Sequence, residues 1–188
     1  MTDPVKVSGS AARTGDSEPA QLMIVGLGNP MMADDGIGHE VLKRLEQRDL
    51  PSHVRLAAID DDVLSLMQLW EGERAVWLVD AVSSRRRPGT LSVYEHEDVL
   101  GLPGRGVSVH HTSLGESVRW MLHALPELAT VEFRLFGIEV ETVAPGKPLS
   151  RGVDGAIANV VDELARRASE AAWSSRASGP VIQSTTFS

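Results

Sequence analysis

The chain has 188 residues, a formal net charge of −8 and no cysteine. That length suffices for one domain with a substantial core. The missing cysteine excludes disulfides, thiolate metal sites and a thiol nucleophile, and the acidic balance opposes a nucleic-acid surface.

Residues 1–20 are rich in Ser, Ala, Thr, Gly and Asp without an apolar period and read as a disordered tail, and residues 171–188 read the same way. Between them, residues 21–170 form one domain. Gln21–Gly28 is a short, mostly apolar strand of the kind buried on both faces. Gly36–Glu46 is a helix with Ile37, Val41 and Leu45 on one face. Val54–Ile59 is a strand, Val63–Trp70 a helix, Ala75–Val79 a third strand closed by Asp80, and Thr90–Tyr94 an alternating edge strand. Ser113–Ala124 is a helix stopped before Pro126, and Val131–Ile138 is another strand. Ser150–Arg167 is the last helix, with Ser150 as its cap. Strands alternating with helices predict an α/β domain with a largely parallel sheet covered on both faces. No apolar run is long enough to cross a bilayer, and the N-terminus lacks the order of a signal peptide. A cytoplasmic protein is therefore expected, with a monomer as the default.

Open α/β sheets bind ligands at the carboxyl ends of their strands. Asp34 and Asp35 follow the first strand, Asp80 the third, and His110 and His111 precede the helix at 113. Carboxylates and an imidazole from separate loops make an oxygen and nitrogen set for a borderline divalent ion, with positions left for water or substrate. Plainer readings stand beside this one. An Asp at a helix start commonly caps free backbone N–H groups. A loop histidine is commonly a surface residue, and Asp60, Asp61 and Asp62 can be a solvated turn and cap. The Ser83–Gly89 segment, with Arg85, Arg86 and Arg87, reads first as a solvated turn and second as a dock for an acidic or flexible partner. Gly26-Leu27-Gly28 begins like a dinucleotide fingerprint, but Met31 stands where the third glycine belongs, and the acids that follow oppose a pyrophosphate.

The run Gly26-Leu27-Gly28-Asn29-Pro30-Met31-Met32-Ala33-Asp34-Asp35-Gly36-Ile37-Gly38 resembles the opening of the hydrogenase maturation proteases. These endopeptidases trim the C-terminus of the large subunit of nickel–iron hydrogenases. Asp80-Ala81, Pro88-Gly89-Thr90, Ser108-Val109-His110 with Leu114, and Phe136-Gly137-Ile138-Glu139 follow the family's order. The resemblance implies a three-layer α/β/α sandwich (phosphorylase/hydrolase-like) with a mostly parallel central sheet. It implies that Asp35, Asp80 and His110 are metal ligands, that Asp35 and Asp80 are catalytic with Asp34 as a further candidate, and that nickel arrives with the large-subunit precursor. The family usually has Asp and small residues after its second strand, often two glycines. Here Asp60-Asp61-Asp62 stands in that substrate loop, which puts substrate identity in question more than reaction type. Two alternatives remain: a maturation factor that binds nickel and precursor without cutting, and a peptidyl-tRNA hydrolase-like enzyme. The latter shares the Val-Gly-Leu-Gly-Asn-Pro opening, but it calls for a Thr-Arg-His-Asn-type segment shortly afterwards and a basic surface. This chain has Asp34-Asp35 there and is acidic.

Overall fold

The structure, a computed structural model, describes residues 20–60, 62–102 and 114–171. The two expected tails, apart from Ala20 and Ala171, lie outside the described residues, as do Asp61, His110 and His111. Five strands form one sheet: β1 (Leu22–Leu27), β2 (Val54–Ile59), β3 (Ala75–Val82), β4 (Leu91–Tyr94) and β5 (Glu132–Glu139). Their order is β2-β1-β3-β5-β4, parallel except that β4 runs against β5. The alternating segment at 90–94 is thus an edge strand. β1 and β3 are buried at every position, which is what apolar runs without alternation produce when both faces of a parallel sheet are covered.

One face is covered by α1 (Ile37–Leu45), whose Ile37, Val41, Leu42 and Leu45 pack with Leu22 and Ile24 of β1. The last helical segment lies on the same face. It is two helices, α5 (Arg151–Asp154) and α6 (Ile157–Glu170), broken at Gly155-Ala156 where one continuous helix was expected. The other face is covered by α2 (Leu66–Leu69), α3 (His96–Leu100) and α4 (Leu114–Ala124) through Leu66, Val99, Val118 and Met121. This is the three-layer α/β/α sandwich. Each fully buried side chain such as Ile37, Leu45 or Met121 contributes about 2 kcal/mol of transfer free energy. The two apolar layers therefore hold the sheet from both sides.

Three local expectations need correction. Asp80 does not close its strand: β3 continues to Val82 because Asp80, Ala81 and Val82 pair with Gly137, Ile138 and Glu139 of β5. On the β1 side the ladder stops at Gly26 and Val79, so Asp80 is the first β3 residue beyond β1. The stretch 63–70 is a 3-10 turn (Val63–Ser65) running into the single-turn α2. Ser150 sits at the N-cap of α5 but makes no side-chain cap bond; its backbone N–H instead donates to Asp34 Oδ1 at 2.6 Å.

Candidate active site at the switch point

The chain leaves β1 through α1 on one face, enters β2, and crosses through α2 on the other face to β3 on β1's far side. The connections from β1 and into β3 therefore diverge between these two strands. That topological switch point opens a crevice at their carboxyl ends. Asp35 and Asp80 both sit there, 5% and 0% exposed.

The glycines of the opening motif exist for close packing. Gly28 has φ +118, and a Cβ on it would lie 1.9 Å from the Asp35 carbonyl oxygen. A Cβ on Gly38 would lie 2.3 Å from the Leu27 oxygen and 2.6 Å from the Val79 oxygen. Only glycine at these places lets the 3-10 turn Ala33–Gly36 and the start of α1 rest directly on the tips of β1 and β3. This accounts for the glycines without a phosphate ligand. Asn29 secures the loop from both ends. Its N–H donates to Asp35 Oδ2 at 2.9 Å, and its side-chain oxygen accepts from Met31 N–H at 2.9 Å.

The two adjacent acids have different surroundings. Asp34 is fully buried, and its carboxylate accepts from the N–H groups of Glu141 and Thr142 at 2.9 Å each and of Ser150 at 2.6 Å. Its own N–H donates to the Thr142 carbonyl at 3.2 Å. Burial pushes its carboxyl up, but the N–H donors of Ser150, Thr142 and Glu141 outweigh that and hold it below the usual aspartate value. Asp34 thus ties the opening loop to the chain after β5 and to the start of α5. Asp35 turns its carboxylate back toward the β1 tip. Asp80 accepts from the Ala81 N–H at 2.8 Å. By alternation along β3 its side chain lies on the face of Leu78 and Val82, which α4 covers from Leu114 onward.

A fourth buried acid, Glu139 at the end of β5, stands at the same edge and is 2% exposed. Its carboxylate accepts from Ser84 N–H at 2.9 and 3.0 Å and from Ser84 Oγ at 2.5 Å. Burial raises its carboxyl, but the Ser84 hydroxyl and the N–H groups of Ser84, Arg86 and Arg85 bring it below the usual glutamate value. The sequence signal for it is an acid ending the apolar run Leu135–Ile138. His39, one turn beyond Asp35 on α1, is a further residue with no recognisable motif. Its Nε2 lies 3.1 Å from Asp60 Oδ1. Asp60 itself is exposed, and Asp62 caps the following turn by accepting from Leu64 N–H at 2.9 Å. Asp61 lies outside the described residues, as does His110; among the described residues no three potential ligands gather at one point.

An α/β/α sandwich with buried carboxylates at its switch point defines an open α/β protein with its site at the strands' carboxyl ends. The particular family follows from comparison. The family model described as hydrogenase maturation protease matches residues 39–167. This chain belongs to that family and is a peptidase of hydrogenase maturation. Among curated relatives, it is similar to the hydrogenase expression/formation protein HupD of Rhodobacter capsulatus, 29% identical over 78% of this chain and 72% of the relative. Among solved structures, the hydrogenase maturating endopeptidase HybD of Escherichia coli superposes with a TM-score of 0.68 at 24% identity, covering 80% of this chain and 93% of that one. The [NiFe] hydrogenase maturation protease HybD of Thermococcus kodakarensis gives the same TM-score at 21% identity, over 79% and 99%. These structural likenesses show the fold. Among the described residues, no helix is long and apolar enough to cross a membrane.

Proposed function

We propose that this protein is a carboxylate-dependent, aspartic-type endopeptidase of the cytoplasm, acting as a monomer. It removes a C-terminal peptide from the nickel-loaded large-subunit precursor of a nickel–iron hydrogenase. The observation that carries this reading is the pair of buried carboxylates, Asp35 and Asp80, at the carboxyl ends of the neighbouring strands β1 and β3. The substrate's nickel, held by the precursor's own thiolates, is completed by Asp35, Asp80 and His110. Carboxylate and imidazole bind nickel without great selectivity, so the precursor's softer ligands bring the ion in. A precursor without nickel docks poorly, and cleavage thereby reports metal insertion. Docking through the ion also fixes the scissile peptide beside the two acids, which lowers the entropic part of the barrier. Asp35 stands at the mouth of α1 with its carboxylate held at the β1 tip by the Asn29 N–H, a placement that suits a ligand. Asp34 is committed to three backbone donors, which argues for a scaffold role rather than proton transfer. Asp60 directly follows the β2 tip, and the Asp60-Asp61-Asp62 run contacts the precursor on that side.

The test incubates nickel-loaded precursor with wild type, Asp35→Asn, Asp80→Asn and His110→Ala and measures precursor mass. Wild type releases a C-terminal peptide, and each variant slows release by a factor of about 10² or more, the loss typical when one transition-state partner is removed. Wild-type rates in all three would refute the site. A stable wild-type complex without mass loss would make the protein a binder.

A further inference from the structure

The segment joining β3 to β4 carries Arg85, Arg86 and Arg87, all exposed. Because β4 lies beyond β5, this segment must cross over the carboxyl end of β5, on the same edge as Asp80. Asp80 and Ser83 are three residues apart along an extended chain, so the segment begins roughly 10 Å from Asp80.

It is a built loop. Glu139 gathers the Ser84 N–H and hydroxyl from below. Gly89 N–H donates to the Glu139 carbonyl at 2.8 Å and Thr90 N–H to the Arg87 carbonyl at 3.0 Å. Arg85 has φ 64, the left-handed region an L-residue seldom adopts. Gly89, also at positive φ, lies so close to α5 that a Cβ would meet the Gly152 oxygen at 2.4 Å. That contact sets the exposed Arg151 next to the loop. Internal donors thus satisfy the one buried carboxylate and leave the guanidinium groups facing outward.

This loop differs from most of the other described arginines, although Arg119 likewise meets only a backbone carbonyl, that of Leu100. Elsewhere on the described surface Arg44, Arg48, Arg134, Arg166 and Arg167 each bind a carboxylate of this chain. Among the described residues, Arg85, Arg87 and Arg151 have no such partner, and Arg86 reaches only the Ser92 hydroxyl at 3.1 Å. A chain of net charge −8 therefore offers a fixed cationic rim beside its candidate active site.

We propose that the Arg85-Arg86-Arg87 loop, with Arg151, docks an acidic segment of the precursor polypeptide and so sets which precursor is processed. This rests on the protease reading above. Guanidinium groups pair with carboxylates in fork geometry, and such a rim steers an acidic partner toward the edge where Asp35 and Asp80 stand.

The test measures equilibrium binding and processing of nickel-loaded precursor by the full chain, comparing wild type with Arg85→Ser/Arg86→Ser/Arg87→Ser and the triple Lys variant. The Ser variant is expected to raise Kd and KM about tenfold with kcat retained. It should also lose most of the wild-type weakening between about 0.05 and 0.3 M salt. The Lys variant keeps most of the affinity, which separates charge from loop collapse. An unchanged Kd in the Ser variant overturns the proposal. So does loss of kcat without loss of affinity, or tight arginine-dependent binding of a single-stranded oligonucleotide that the precursor does not displace. Wild type that binds the precursor without cutting it refutes the protease reading while the Kd comparison still decides the dock; wild type that does not bind refutes the dock.

Discussion

The two ends of the sheet handle buried acid in opposite ways. At the amino end, Glu73 is 1% exposed and is neutralised by Arg55, whose guanidinium lies 2.5 Å from its carboxylate. Arg55 also donates to the Leu69 carbonyl at 2.6 Å. At the carboxyl end, Asp34 and Glu139 are held by N–H and hydroxyl dipoles. A dipole steadies a carboxylate without cancelling its charge, whereas a guanidinium does cancel it. The first arrangement gives a neutral, structural edge. The second leaves Asp34 and Glu139 as charged carboxylates near Asp35 and Asp80, in keeping with the proposed meeting with a cation.

Three substitutions separate these solutions. The largest effect is expected for Asp34→Ala, which strips three N–H groups of their acceptor and opens a buried hole. It should cost about 4 kcal/mol, read as a shifted urea midpoint. Arg55→Met comes next. It leaves Glu73 buried beside no cation and should cost about 3 kcal/mol, while Arg55→Met/Glu73→Leu recovers most of the loss. If Asp34→Ala is no worse than a surface substitution, the dipole-held acids are not structural. Glu139→Gln is the mildest at about 1.5 kcal/mol, a fall in Tm of roughly 3–6 °C for a chain of this size. This last variant also tests the pH dependence. Asp34 and Glu139 are both held below their ordinary values of 3.8 and 4.5. Their contribution is complete above those values and is lost as pH falls through the lower folded-state values. The unfolded chain binds more protons in that window, so stability should rise with pH below about 4. Glu139→Gln should flatten this rise, as acid titration followed by circular dichroism would record.

Much of this architecture can be read from residue pattern alone, for a physical reason. The strand at 54–59 was expected with the bounds it has, and the cores of β1 and β3 follow from apolar runs that only a doubly covered sheet accommodates. The pattern fails where tertiary pairing decides. The end of β3 depends on β5, nearly sixty residues away, and nothing near Asp80 announces that partner. α3 is too short to show a period, although Asp98 Oδ2 accepting from the Glu95 N–H at 3.2 Å is the sort of local cap that could flag it. At the site, Asp34 and Asp35 are indistinguishable as letters. Their difference arises from Glu141, Thr142 and Ser150, which come near only in the fold. Glu139 was noted only as part of a family pattern, and its grip on the arginine loop is likewise a long-range fact.

At the tip of β1, the space a single methyl would need on Gly28 is already filled by the main chain of Asp35. The main chain of Asp35 therefore rests on the strand tip and moves with it. Its residence in place is as long as the lifetime of the sheet, so on warming, loss of catalysis and global melting should fall on one curve.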